Sequence, residues 1–143
     1  MAPDASLDRL PGDTRGRLAL GAAIAALATV GSLWFSLGFG LVPCTLCWYQ
    51  RILMYPLVVV LGVAALDRRP DAYRTALPLA LPGLGLAAYH SILQATATQC
   101  TLAGPCAAVQ WRAPVVGVTI PNLSLLAFGL LTLVLLSTWA ADR

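Results

Sequence analysis

Two cysteines with two residues between them, followed four positions later by an arginine, are the residues of this chain best suited to chemistry. On a helix, Cys44, Cys47 and Arg51 share an arc of about 60°, because each residue turns the helix by about 100°. Two thiols at a helix start can form a redox-active disulfide, since the positive end of the helix dipole and the N–H groups there lower thiol pKa values. Arg51 adds a permanent positive charge one turn deeper.

The C-x-x-C pair has three possible interpretations. A zinc site would need four ligands, which Cys44, Cys47, Cys100 and Cys106 could supply. A structural disulfide is the second, but so small a ring gains little loop-closure entropy. We favour the third, reversible oxidation, and expect no metal. One interpretation of Arg51 is that its side chain simply extends to the membrane surface. Its position beside the cysteine pair instead favours a functional role, in which the guanidinium stabilises a thiolate and the polar carbonyl headgroup of a bound molecule.

A second pair, Cys100 and Cys106, flanks Gly104-Pro105, which permit a tight turn. A disulfide that closes so short a ring adds little to the stability of the fold and exchanges readily with other thiols. Two small dithiol rings on one face of a membrane indicate a relay by thiol–disulfide exchange. The outer pair would meet a soluble partner, and the inner pair, at the helix start, would meet the terminal electron acceptor.

The acceptor is inferred by elimination. The sequence has no G-x-G-x-x-G nucleotide fingerprint, and its single histidine cannot supply a pair of haem ligands. A quinone dissolved in the lipid is the remaining choice. His90 is expected at the depth of Cys47 and Arg51, with Gln94 one turn on, and could bind a quinone carbonyl or transfer protons. The alternative is a packing histidine bonded to a neighbouring helix backbone.

The elements that must position these residues are membrane helices. The chain is 59% hydrophobic and only 10% charged, against roughly 25% charged in soluble domains, and its mean hydropathy is +0.79. The net charge of +3 is therefore no nucleic-acid footprint. Four stretches approach the ~20 apolar residues that a span needs, namely 18–41, 48–66, 75–94 and 123–141. We predict an all-α integral membrane four-helix bundle surrounded by lipid.

The charges predict the topology. Residues 1–17 are polar and predicted to be a disordered tail, and the apolar run that follows is too long for a cleaved signal peptide. Seven of the nine arginines lie in this tail, in the segment 67–74 or at the C-terminus. The positive-inside rule then places both termini in the cytoplasm. A multi-pass protein of the inner or plasma membrane follows, with all four cysteines and the loop 95–122 on the oxidising, extracytoplasmic side.

Three segments resemble one known family, the DsbB-type disulfide bond formation proteins. They are VPCTLCWYQRILMYP at 42–56, AYHSILQ at 88–94 and TIPNLSL at 119–125. The first is specific and the other two are weak alone. The likeness extends over roughly residues 20–140. The second cysteine pair is much farther apart in the proteobacterial branch, so its six-position separation here resembles the BdbC branch instead.

The resemblance implies a four-helix bundle that reoxidises a DsbA-like (BdbD-like) thioredoxin-fold oxidase and passes electrons to ubiquinone or menaquinone. Cys44 and Cys47 match the family's quinone-side pair, and Cys100 and Cys106 correspond to its partner-facing pair. Two binding residues are also implied: the motif arginine beside the quinone is Arg51, and the histidine of the third helix is His90.

Two rival functions remain open at this stage. Vitamin K epoxide reductase-like proteins resemble this chain in architecture and act on another thiol partner. Their C-x-x-C follows the loop cysteines, however, whereas here it precedes them. The non-enzymatic rival is a four-span scaffold whose disulfides are structural; it predicts that Cys47→Ser costs only stability.

Overall fold

The computed structural model describes residues 14–96 and 111–142, and four long helices dominate this part of the chain. These are α1 (Thr14–Leu33), α2 (Thr45–Asp67), α3 (Tyr73–Thr96) and α4 (Ile120–Asp142). A π-helical turn, Trp34–Gly38, extends α1, and a 3₁₀ turn, Pro70–Ala72, leads into α3. Within the described residues, four helical segments are long and apolar enough to cross a bilayer. The predicted all-α membrane four-helix architecture is confirmed, while the side that each terminus faces stays a prediction.

A cysteine caps the N-terminus of helix α2. Cys44 is the N-cap, with extended backbone at φ −76° and ψ 174°, and its Sγ accepts a hydrogen bond from the backbone N–H of Cys47. The helix therefore begins at Thr45, ahead of the span predicted from residue 48. At the other end Arg68 adopts a left-handed conformation with φ 53°, and its backbone N–H bonds to the carbonyl of Ala64, which closes the helix.

The helices form a ring in which α1 and α3 each pack against both α2 and α4. Each helix contributes to the core between them, where Leu18, Leu61, Ala80 and Leu131 are fully buried. The packing of α3 against α4 depends on Gly83, because a Cβ at this position would overlap the buried ring of Phe128.

The outward surfaces of the helices are apolar. Leu27 of α1, Val59 of α2, Ile92 of α3 and Leu133 of α4 are each at least 60% exposed. Water would not tolerate so many exposed aliphatic side chains, but the bilayer core needs no polar cover. This exterior is the one expected of a bundle surrounded by lipid.

The described end of the connection between α3 and α4 is a tight turn. Arg112 and Thr119 form an isolated antiparallel bridge, and Gly117 closes the turn with φ +71°. The ring of Trp111 packs 4.8 Å, centroid to centroid, from the ring of Phe35. This contact ties residues 111–119 to the end of the first span, at the same end of the bundle as Cys44.

Candidate redox site

The two cysteines at the start of α2 lie next to each other as thiols. The Sγ atoms of Cys44 and Cys47 are 3.2 Å apart. Cys44 is buried at 7% exposure, whereas Cys47 is half-buried. Because the two sulfurs already lie within hydrogen-bonding distance, small side-chain rotations suffice to bring them to the ~2.05 Å of a disulfide bond.

The environments of the two thiols differ. The hydrogen bond that Cys44 donates to Cys47, together with burial, raises the pKa of the Cys44 thiol from 9.0 to about 11, although His90 acts in the opposite direction. Cys44 immediately precedes the span Thr45–Asp67. Cys44 therefore keeps its proton at neutral pH and donates it in a hydrogen bond to the Cys47 sulfur.

His90 joins the pair from helix α3. Its Nε2 lies 3.8 Å from Sγ of Cys44, and its Nδ1 lies 3.2 Å from the side-chain amide of Gln50. The histidine and the glutamine are only 2% and 6% exposed. A glutamine amide can turn either its NH₂ or its C=O towards Nδ1. Nε2 can accordingly act either as donor to the Cys44 sulfur or as acceptor from it.

Gln50 is a site residue that sequence reasoning missed. The sequence placed Gln94 on the face of His90, but the Nδ1 hydrogen bond goes to Gln50 of the neighbouring helix. A signal was present, because Gln50 is a polar residue inside an apolar span, three positions after Cys47. Polar residues within membrane segments face the bundle interior and mark functional positions.

Arg51 is held against the end of α1. Its Nη2 donates to the backbone carbonyl of Ser32 at 3.1 Å and to Oγ of Ser36. The guanidinium carbon also lies 5.4 Å from the ring centroid of Trp48, within range of a cation–π contact. Ser36 belongs to the π-helical turn, a type of irregularity that often occurs at functional sites. These contacts fix the guanidinium against the end of the first span.

A cavity of about 420 Å³ lies beside these groups, lined mainly by α1, α2 and α4 and also by His90 of α3. Cys47 lines it, and Cys44 does not. Its walls are mainly aliphatic and aromatic side chains. The polar side chains that line it are those of Ser32, Ser36, Cys47, Gln50, Arg51, Tyr55, His90 and Ser124. The arrangement is that of a binding site for a largely apolar molecule with a few polar atoms.

The structure thus brings together four of the six predicted site residues, Cys44, Cys47, Arg51 and His90. The second pair, Cys100 and Cys106, lies outside the described residues. A four-helix membrane bundle with a C-x-x-C dithiol at a helix N-terminus, open to an apolar cavity, defines the class of integral membrane thiol–disulfide oxidoreductases.

Comparison with known proteins identifies the family. The family model described as "Disulfide bond formation protein DsbB" matches residues 14–138, so the chain belongs to the DsbB family. It is 41% identical over 140 residues to a "Probable disulfide formation protein" of Deinococcus radiodurans, covering 89% of this chain and 90% of that one. It is 38% identical over 112 residues to "Disulfide bond formation protein C" of Bacillus subtilis, covering 73% and 79%.

These relatives confirm the resemblance to the BdbC branch and show that the protein is a membrane disulfide oxidoreductase with a role in disulfide bond formation. A thiol–disulfide partner is implied by that role. No solved structure matches the chain significantly.

Proposed function

We propose that this protein is a thiol:quinone oxidoreductase that reoxidises an extracytoplasmic, DsbA-like thioredoxin-fold protein and passes the electrons to ubiquinone or menaquinone. The observation that carries the proposal is the position of Cys47. Its half-buried sulfur lines the cavity that Arg51 also lines, whereas its partner Cys44 is buried outside it. The dithiol can therefore react with a lipid-soluble oxidant through one sulfur.

The residues present fit a quinone. The apolar walls suit a ring and its hydrophobic tail, and the polar groups suit its two carbonyl oxygens. Arg51 has five N–H donors in a planar fork. Since Nη2 is held by α1, the other nitrogens remain to bind a carbonyl oxygen. Tyr55 lies within the same cavity, with its hydroxyl 3.4 Å from Oγ of Ser32.

When bound, a quinone accepts two electrons and two protons and becomes a quinol. The protein supplies these as its dithiol becomes a disulfide: the two S–H bonds break, the Cys44–Cys47 bond forms, and two electrons and two protons leave. Arg51 stabilises negative charge beside Cys47. His90, with Nε2 beside the Cys44 sulfur, is placed to take the second proton as the bond closes. That placement favours proton transfer over a purely structural role for the histidine.

The disulfide is then reduced again by the relay predicted from the sequence. A reduced thioredoxin-fold partner would reduce the Cys100–Cys106 disulfide by exchange, and the resulting thiols would reduce Cys44–Cys47. The charge distribution supports an extracytoplasmic position for both pairs. The exposed Val115 and Val116, in the turn held by Trp111 against α1, support a loop that stays close to the membrane surface.

The test uses the purified full-length chain in lipid nanodiscs. It is mixed with a reduced thioredoxin-fold oxidase and a short-chain quinone, and quinone reduction is followed by its absorbance. We expect turnover that depends on the thiol partner and is abolished by Cys47→Ser. The matched control is Arg15→Gln, which changes an exposed arginine in the first turn of α1 and should leave turnover unaffected.

Two results would count against the proposal. One is the lack of thiol-dependent quinone reduction with several partners and both quinone types. The other is a Cys47→Ser variant whose only defect is a loss of stability, as the non-enzymatic scaffold predicts. Labelling with a membrane-impermeant thiol reagent in intact cells checks the topology independently.

A further inference from the structure

We propose that the reduced dithiol and His90 together form a binding site for Zn²⁺, and that zinc blocks the protein in its reduced state. The potential ligand atoms of Cys44, Cys47 and His90 all lie within 4.8 Å of one another. The three residues come from two helices, so the cluster is created by the packing of α3 against α2 rather than by local sequence.

The spacing is close to that of a tetrahedral zinc site. Zn–S bonds of ~2.3 Å and Zn–N bonds of ~2.0 Å place two sulfurs about 3.8 Å apart, and a sulfur and a nitrogen about 3.5 Å apart. The observed Sγ–Sγ distance is 3.2 Å, and the distance from Sγ of Cys44 to Nε2 of His90 is 3.8 Å. The sulfurs must move apart by about 0.6 Å, and Sγ of Cys47 and the histidine nitrogen, which lie within 4.8 Å of each other, must approach to about 3.5 Å, changes that side-chain rotations can supply.

The charge balance also favours zinc. Two thiolates and one neutral imidazole around Zn²⁺ give a complex with no net charge, and a neutral complex avoids most of the cost of burying an ion. Binding converts two thiols and Zn²⁺ into two Zn–S bonds and releases two protons. The fourth position would face the cavity that Cys47 lines, where a water molecule can complete the tetrahedron.

Gln50 supports the histidine as a ligand. A metal-bound imidazole usually donates its other N–H to a fixed acceptor, which sets its tautomer and orientation. The buried amide of Gln50 lies 3.2 Å from Nδ1. If the amide turns its oxygen towards Nδ1, Nε2 is left without a proton and can bind the metal.

The consequence is a redox-dependent block. Only the dithiol can bind zinc in this way, since in the disulfide each sulfur already carries a covalent bond to the other. Conversely, zinc-bound sulfurs cannot join to form the disulfide until the metal leaves. Zinc would therefore hold the protein reduced and stop turnover. The inference rests on the cluster alone and can be tested whether or not quinone is the acceptor.

The test measures metal binding without turnover. Full-length protein in nanodiscs is reduced, freed of reductant under anaerobic conditions, and titrated with ZnCl₂ and, separately, with CoCl₂. We expect one Zn²⁺ per reduced chain at this site and none after oxidation of the C-x-x-C pair. Co²⁺ should give the intense sulfur-to-metal charge-transfer absorption and the visible bands of a tetrahedral site.

Variants locate the site. Cys44→Ser and Cys47→Ser should each abolish the cobalt spectrum, and Gln50→Ala should weaken zinc binding by roughly 10- to 100-fold, as is typical for a group that orients a metal-bound histidine. The control is Cys100→Ser/Cys106→Ser, which should leave the spectrum intact. Each variant is first checked for a monodisperse elution profile.

Any of four results would overturn the inference. Three of them are a reduced protein that gives no cobalt charge-transfer band, zinc binding that survives in Cys47→Ser, and a cobalt spectrum that disappears in the Cys100→Ser/Cys106→Ser control. Loss of the spectrum in Cys44→Ser and Cys47→Ser but its persistence in His90→Gln would remove the histidine and so refute the three-ligand site.

Discussion

Replacement of Arg51 by glutamine tests how the site binds its acceptor. The guanidinium of Arg51 is fixed by its bonds to the Ser32 carbonyl and to Ser36, and it lines the cavity beside Cys47. Glutamine is shorter and uncharged, so the Arg51→Gln variant loses both the link to α1 and the positive charge. Arg51→Lys keeps the charge but has one nitrogen, which cannot bond to α1 and to a carbonyl headgroup in a fixed fork.

The expected loss follows from the hydrogen bond that the variant cannot make. A hydrogen bond to a charged group contributes roughly 1.5–3 kcal/mol. At about 1.4 kcal/mol for each factor of ten, kcat/KM for the quinone should fall by about 10- to 150-fold in Arg51→Gln. The kcat/KM of Arg51→Lys should lie between the values of the wild type and of Arg51→Gln, because lysine retains the positive charge and loses the fork geometry of the guanidinium.

The assay is steady-state quinone reduction in nanodiscs at several quinone concentrations, with thermal unfolding measured in parallel. Arg15→Gln, which removes an equal charge from an exposed position of α1, is the control and should match the wild type. If Arg51→Gln remains folded and its kcat/KM lies within twofold of the wild-type value, the arginine does not contact the acceptor and the reasoning is wrong.

Three further perturbations test the packing and the proton chemistry. Gly83→Ala should lower stability by about 1–3 kcal/mol, measured by thermal unfolding, because its Cβ would overlap Phe128, whereas Gly85→Ala, with open space around it, should not. His90→Gln should lower kcat by about 100-fold or more, with a smaller change in the KM for quinone; an unchanged kcat would refute proton transfer. The rate at which Cys44 is alkylated in the reduced protein, measured by peptide mass spectrometry, should be low at pH 8 and increase towards pH 11, because the pKa of this thiol is raised to about 11. Faster labelling of Cys44 than of its partner thiol at pH 7.5 would contradict this.

Local periodicity explains the part of the site that could be predicted. Cys44, Cys47 and Arg51 belong to one helix, where positions three and four apart share a face whatever the rest of the fold does. The four apolar stretches along the chain likewise predicted four spans, because a bilayer is crossed by long apolar helices. The family resemblance carried by the motifs at 42–56, 88–94 and 119–125 was confirmed by the match over residues 14–138.

The contacts between helices could not be predicted in this way. The spans are apolar on all sides, so hydropathy does not mark which face of α3 turns towards α2, and the hydrogen bond between Gln50 and His90 was not predicted. The same limit hid the role of Ser32 and Ser36, which belong to α1 and the π-helical turn after it.

The sequence by itself determined the membrane class, the spacing of the C-x-x-C pair and the arginine one turn after it, because each depends on residue type and helical spacing alone. Only the tertiary structure decided which sulfur meets the cavity, which group orients His90 and what holds Arg51 in place. Those properties depend on the rotation and depth of each helix relative to its neighbours, which close packing around positions such as Gly83 and Phe128 sets.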